Sequence, residues 1–334
     1  MTEKTSTRPR ADTTAPATAA ERAEGLAAPG ARRTKVLSIV AVVGAALLWS
    51  SSYAVTKEVL SDVGPLTIGA LRFTFAALLL IAMTRLLARR RPIERPTGRQ
   101  RLLTWLSGLL GITVYFILEN FGVELSTASD ASLIVASYPL MTMLLELAVF
   151  RIRMPVARIV AVLVAAAGAY LVVRNGAAVG GSQRWLGDIL LLLGGMVWAL
   201  YNLVSKLAGG RDAVSVTCHQ MTAGAAGFLL ASLFEASHWS VPSPTSSALL
   251  VYLAVGCSVG GFLLYNYGLQ ALKSSVAVNI LNLVPAFGVL GAVLINGESV
   301  QLTQATGGIV IVGGVMLGLV DRGGGSLEQP KERR

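Results

Sequence analysis

Apolar runs of about twenty residues recur along the chain with few interruptions, at about 36–57, 65–86, 102–123, 128–150, 155–173, 186–206, 214–235, 247–270, 275–295 and 301–320. Roughly 20 residues of helix cross about 30 Å of hydrocarbon, so each run reads as a transmembrane helix, ten in all. The short alternating pattern of a membrane β-barrel is missing from them. Glycine and proline within the runs do not oppose this reading, because neighbouring helices re-satisfy the backbone groups they release. Composition agrees: 54% of the 334 residues are hydrophobic and 14% charged, against about 25% charged in an ordinary soluble globule.

Residues 1–35 form a polar leader through which basic and acidic residues recur. The first apolar run is too long for a signal peptide and lacks a cleavage region, so the leader reads as a disordered cytoplasmic tail. Residues 321–334 read as a second, solvated cytoplasmic tail. The net charge of +10 is consistent with either a nucleic acid or a membrane partner, and placement decides between them. With the first terminus inside, every Lys and Arg except Lys57, Arg72, Arg174 and Arg184 falls on the cytoplasmic side, while Asp62, Glu124, Glu235 and Glu298 lie near outer ends. That is the positive-inside distribution. It implies a multi-pass plasma membrane protein with both termini cytoplasmic, lipid as the surrounding partner, and no nucleic acid. The two cysteines, Cys218 and Cys257, lie in apolar runs and read as buried thiols. With only two histidines, no metal-ligand spacing and no nucleophile–base arrangement emerges. The expectation is a non-enzyme without cofactor or metal.

The chain also repeats itself. Leu118–Pro139 (LENFGVELSTASDASLIVASYP) aligns without a gap on Leu264–Pro285 (LYNYGLQALKSSVAVNILNLVP). Asn120, Gly122, Ser129, Ala131, Ile134 and Pro139 meet identical partners in Asn266, Gly268, Ser275, Ala277, Ile280 and Pro285. Trp49–Lys57 (WSSSYAVTK) likewise corresponds to Trp198–Lys206 (WALYNLVSK). Five spans per half is an odd number, so the second half enters the bilayer from the opposite side. The predicted fold is an all-α integral membrane protein of two inverted five-helix repeats, 36–173 and 186–320. Inverted repeats are the architecture of secondary transporters, whose two halves exchange around a midplane site.

These motifs resemble the drug and metabolite transporter superfamily, in its ten-helix branch with two EamA-like domains. The resemblance rests on LLWSSSYAVTK at 47–57, LRFTFAALLLI at 71–81, and the doubled stretches Asn120-x-Gly122 to Pro139 and Asn266-x-Gly268 to Pro285, and covers about residues 36–320. It implies a basket of helices around a central cavity, with the fifth and tenth helices peripheral, and export of small solutes such as amino acids. Family members often carry Gly-Glu just past the fourth helix of a half. Gly297 and Glu298 supply it in the second half, whereas the first half reads Arg151 and Ile152.

Candidate solute-binding residues follow from spacing. Trp49, Ser52 or Tyr53, and Thr56 share one helical face, as do Trp198, Tyr201 or Asn202, and Ser205. Each set offers an aromatic ring beside hydroxyl or amide groups, suited to line a cavity for an amphipathic solute or to anchor and bond helices. Arg72 lies roughly 10 Å inside its span at 1.5 Å per residue, and a cation at that depth requires a partner. Glu119, at similar depth, is the expected partner; recognition of a solute carboxylate is the alternative. Asn120 and Asn266 suit helix-to-helix bonding, while Asn279 and Asn282 suit either bonding or solute contact. Pro139 and Pro285 predict kinks and candidate hinges. Glu146 either gates the cytoplasmic end or pairs with Arg151 or Arg85. Small-residue stripes at Ala161, Ala165 and Ala169 and at Gly314 and Gly318 predict packing faces, within a monomer rather than across a dimer. The functional expectation is an alternating-access exporter of small amphipathic metabolites. The alternatives are a broad drug or toxic-cation exporter and a non-transporting membrane scaffold.

Overall fold

A computed structural model of the chain describes residues 29–88, 97–150, 156–179, 183–208, 213–272, 280–281 and 283–320. Among these residues the secondary structure is helical, without strands. In chain order the α-helices are α1 (Pro29–Val59), α2 (Pro65–Ala88), α3 (Gly98–Gly108), α4 (Tyr115–Leu125), α5 (Ala128–Val135), α6 (Tyr138–Phe150), α7 (Val156–Val179), α8 (Arg184–Ala208), α9 (Ala213–Ala231), α10 (Pro244–Tyr252), α11 (Gly261–Ala271), α12 (Leu283–Asn296) and α13 (Leu302–Val320). Five continuous rods are long and apolar enough to cross a membrane: Arg33–Val59, Pro65–Leu87, Gly98–Leu125, Arg184–Ser205 and Pro244–Gly268. Shorter apolar helices run over Ile159–Arg174, Leu283–Asn296 and Leu302–Leu317.

Two of those rods are not uniform. A π-helical segment, Leu109–Val114, joins α3 to α4, and another, Leu253–Gly260, joins α10 to α11. Each lies shortly ahead of one of the two duplicated stretches, at a corresponding place. A π-turn carries an extra residue, so it rotates everything downstream onto a new face and leaves carbonyls available to side chains. Between α5 and α6 the helix breaks at Ala136 and Ser137, whose amides bond three residues back, to Leu133 and Ile134. Pro139 follows directly; with no amide hydrogen, it cannot continue the regular ladder. Pro285 stands in the first turn of α12.

The two halves interleave. α1 packs on α11 and α12 of the other half, and α8 packs on α3, α4 and α6 of the first, while α2 pairs with α9 and α7 with α13. Small residues allow the closest approaches. A Cβ on Gly168 would stand 2.7 Å from Gly307 O, and one on Gly314 2.7 Å from Ala165 N, so α7 and α13 touch backbone to backbone. Gly122 and Gly187 do the same for α4 and α8. The alanine and glycine stripes are therefore used inside this chain. The outer surface is apolar: Leu78, Leu163, Leu230 and Ile309 are each more than 60% exposed, while Arg72, Glu119, Asp130 and Asp188 are buried. That distribution suits a hydrocarbon solvent.

At the end of the bundle where α1 terminates, here termed the Lys57 end, side chains bind helix termini, Lys57 within the first half and two glutamates across the halves. Lys57 Nζ donates to the carbonyls of Val123, Glu124 and Ser126 at 2.7, 3.0 and 2.7 Å. Gly297, with φ of 66°, turns the chain so that Glu298 accepts from the first amides of α5, Ala128 and Ser129, at 2.8 and 2.9 Å. Glu235 accepts from Leu66 and Thr67 at the start of α2, at 3.0 and 2.8 Å. A carboxylate at a helix N-terminus satisfies exposed amides and meets the positive end of the dipole. Arg151 and Ile152, the first-half counterparts of Gly297 and Glu298, lie outside the described residues.

Candidate solute-binding cavity

A cavity of about 710 Å³, counted with its open mouth, lies between the two halves. It gathers Trp49, Ser52 and Tyr53 from α1, Arg72 from α2, Glu119 from α4, Pro139 from α6, and Trp198 and Asn202 from α8. Residues that periodicity did not single out complete it, notably Tyr115, Phe116, Tyr138, Thr142 and Phe262.

The aromatic wall is built by mutual contact. Trp49 and Trp198 meet edge to face, centroids 6.2 Å apart and planes at 86°. Trp49 also touches Phe262 at 5.3 Å, and Trp198 touches Tyr115 at 5.0 Å and Tyr201 at 4.9 Å. Trp49 Nε1 donates to Cys257 O at 3.0 Å, a carbonyl in the second π-helical segment. The indole is thereby held, and a ring rather than its N–H is left for the cavity. Tyr201 stands behind Trp198, packed over Gly111, where a Cβ would come within 2.3 Å of its ring. It supports the wall without lining it.

Arg72 and Glu119 share the cavity, but the expected ion pair does not form. Among the described residues the ion pair is that of Arg184 and Asp130. Arg72 Nε donates to Ser258 Oγ at 2.8 Å, and the guanidinium lies 5.0 Å from the ring centre of Phe73 and 4.7 Å from that of Phe116. Among the described residues its Nη1 and Nη2 have no hydrogen-bond partner, although the residue is only 1% exposed. Glu119 instead accepts a hydrogen bond from the Tyr115 hydroxyl, one helical turn away. The physical reason is local: Tyr115 and Glu119 stand one turn apart on α4 and so share a face, while the π-helical segment Leu253–Gly260 offers Ser258 to Arg72. Two nitrogens of a buried cation and a carboxylate thus stand beside aromatic faces, able to engage a small solute bearing both charges.

Asn120, Asn266, Ser205 and Thr56 do not line the cavity. Asn120 Nδ2 donates to Pro65 O at 2.9 Å, tying α4 to α2. Asn266, its repeat counterpart, donates to Thr217 Oγ1 at 2.7 Å, tying α11 to α9. Ser205 accepts from Gln220 Nε2 at 3.3 Å, which also donates to Ser107 at 3.0 Å. Thr56 is buried, and its hydroxyl has no partner among the described residues. Asn279 and Asn282 lie outside the described residues, as does the side chain of Glu146.

The fold and the cavity define a polytopic helical membrane protein that encloses a polar and aromatic chamber. Comparison with known proteins gives the class its name: the EamA-like transporter family model matches residues 36–174 and again 185–320, so the chain belongs to that family and is a membrane transporter. It is 28% identical over 283 residues to a probable terminal-alkyne amino-acid exporter of Streptantibioticus cattleyicolor, covering 84% of this chain and 92% of that one. It is 27% identical over 275 residues to an uncharacterised transporter of Archaeoglobus fulgidus (81% and 93% covered), and 25% identical to the inner membrane transporter YedA of Escherichia coli (81% and 87%). A solved crystal structure shares the fold, with a TM-score of 0.61 at 22% identity over 85% of this chain and 97% of that one.

Proposed function

We propose that the protein exports small amphipathic metabolites, amino acids foremost, by alternating access between two inverted repeats of five transmembrane helices each. Its termini are cytoplasmic and the Lys57 end faces outward. The observation that carries the substrate class is Arg72, sealed from solvent with both Nη atoms unpartnered at the wall of an aromatic chamber. A solute carboxylate can take both donors, and an ammonium group can meet Glu119 or an aromatic face. The likeness to the Streptantibioticus relative, a probable terminal-alkyne amino-acid exporter, supports the same class. The exchange of helices between halves supports the inversion, because α1 sits against α11 and α12 as α8 sits against α4 and α6.

The test is counterflow of radiolabelled amino acids in proteoliposomes. Wild type is expected to exchange zwitterions bearing an apolar side chain. Charge-assisted hydrogen bonds contribute about 1.5–3 kcal/mol, so Arg72→Gln should raise KM for these solutes by about ten- to a hundredfold while sparing analogues without a carboxylate. Equal loss for both would make Arg72 a structural residue. The broad drug or cation exporter is favoured by one specific feature, a cavity carboxylate, Glu119, that forms no ion pair among the described residues. It expects flux of organic cations that survives Arg72→Gln and is lost in Glu119→Gln.

A further inference from the structure

Beyond the cavity, the Lys57 end encloses a second cluster of ionisable groups. Asp130 and Asp188 are both 0% exposed. Asp130, in the first turn of α5, receives Arg184 through Nε at 2.7 Å and Nη2 at 2.6 Å on Oδ2, and Gln304 Nε2 at 2.6 Å on Oδ1. Its negative charge is therefore matched. Asp188, one turn along α8 from Arg184, forms no ion pair among the described residues: Oδ1 is hydrogen-bonded to Ser126 Oγ, and Oδ2 has no partner there. Ser126 Oγ in turn lies 3.2 Å from Asp130 Oδ2.

Counting hydrogens decides the protonation state. A serine hydroxyl has one hydrogen to give, yet Ser126 Oγ lies between two carboxyl oxygens. If it donates to Asp130, the contact with Asp188 requires a hydrogen on Asp188 Oδ1, donated to Ser126. If both carboxylates were ionised, two negative charges would share one arginine, and one of them would be buried without a counter-ion, at a cost of several kcal/mol. We propose that Asp130, Ser126 and Asp188 form a proton site, with the proton on Asp188, and that its occupancy holds the Lys57 end closed.

The other charged groups near the site do not supply the missing cation. Lys57 on α1 is spent on three carbonyls. Glu298, ahead of α13, is bound to the α5 amides. Glu124 at the end of α4 and Arg174 on α7 are exposed. The cluster joins α8, which packs closely on α4 at the Gly122–Gly187 contact, to α5 and α13. Separating those two bodies exposes Asp188 to water, where it ionises as an ordinary aspartate. The closed end therefore holds one proton more than the open one. Closure is favoured in acid, and the closed-to-open ratio falls by up to about tenfold per pH unit between the ordinary aspartate range and the pH at which the closed site itself loses its proton.

The inference rests on the transporter reading, in which this end opens, but its test uses no solute. Spin labels at Gln183→Cys, beside α8, and Leu302→Cys, at the start of α13, report the separation in liposomes across pH; the native Cys218 and Cys257 are buried. In otherwise wild-type protein the short distance should dominate in acid and give way to a longer one as pH rises. Asp188→Asn, whose amide stands in for the protonated acid, should hold the short distance at every pH. An unchanged pH response in Asp188→Asn, or no pH response in wild type, overturns the proposal. A second measurement does not depend on the variant's folding: infrared pH-difference spectra of the wild type should contain a buried protonated-carboxyl band that persists in Glu119→Gln, and its absence also overturns the site. Amino-acid counterflow without a pH response sinks the proton site alone. A pH response without counterflow sinks the substrate reading alone.

Discussion

Arg72 owes its surroundings to both halves of the chain. Its own helix supplies Phe73, the first-half π-segment leads into Phe116, and the second-half π-segment supplies Ser258. These contacts hold the guanidinium at the cavity wall, and its two Nη atoms have no hydrogen-bond partner among the described residues. The wall beside it depends on a similar close fit. Gly111→Ala would drive a methyl to within 2.3 Å of the Tyr201 ring, and overpacking of this kind costs about 1–3 kcal/mol. The expected outcome is a lower unfolding midpoint in detergent together with weakened solute binding, since Tyr201 supports Trp198. An unaltered melting curve would show that the ring moves aside without cost. The tryptophans were legible in the sequence because each stands at the same place in a repeated motif. Tyr115, Phe116 and Phe262 were not, because an aromatic residue in an apolar helix looks the same whether it faces lipid or a cavity. The π-turns that decide their direction also lie outside a 3.6-residue period. Asp130 and Asp188 escaped notice for another reason: nothing in their spacing brings α5 next to α8.

Helix ends and helix crossings carry the element-scale consequences. Glu298 reaches two amides of α5 from the far end of the chain, so Glu298→Ala should destabilise by about 1 kcal/mol, the usual worth of a cap. Hydrogen exchange should speed up first at Ala128 and Ser129. Gly168→Ala sets a methyl against the backbone of α13 rather than a mobile side chain. Thermal stability should fall by about 1–3 kcal/mol, and separation of α7 from α13 should register as faster exchange in both. Asp62, in the turn between α1 and α2, accepts from the Ser243 amide at 2.7 Å, and that hydrogen bond holds its carboxyl below the usual aspartate range. A depressed value means the contact is present above the ordinary aspartate range and is lost as pH falls through the lower value. Protection of the Ser243 amide should follow that course and lose its acid dependence in Asp62→Asn. The kink before Pro139 was readable in the sequence, whereas the cross-half caps were not, since a glutamate in a loop does not disclose which helix it will meet.

For the whole molecule, the central expectation is sidedness. With the Lys57 end outward, Ser61→Cys should react with an impermeant maleimide added to intact cells, and Arg99→Cys only after the membrane is opened. Both positions are exposed. Labelling of both from one side would end the inverted-repeat reading. The interleaving of halves also bears on biosynthesis. As the first helix leaves the translocon, the helices it finally rests against, α11 and α12, are still some two hundred residues from being made. α1 must therefore wait in lipid, or against temporary company, until most of the chain has emerged from the ribosome. A chain cut off after its first half would hold Trp49 and Arg72 but neither Ser258 nor the carbonyl of Cys257 to fix them. The chamber is a late product of synthesis, finished only when the beginning and the end of the polypeptide find each other.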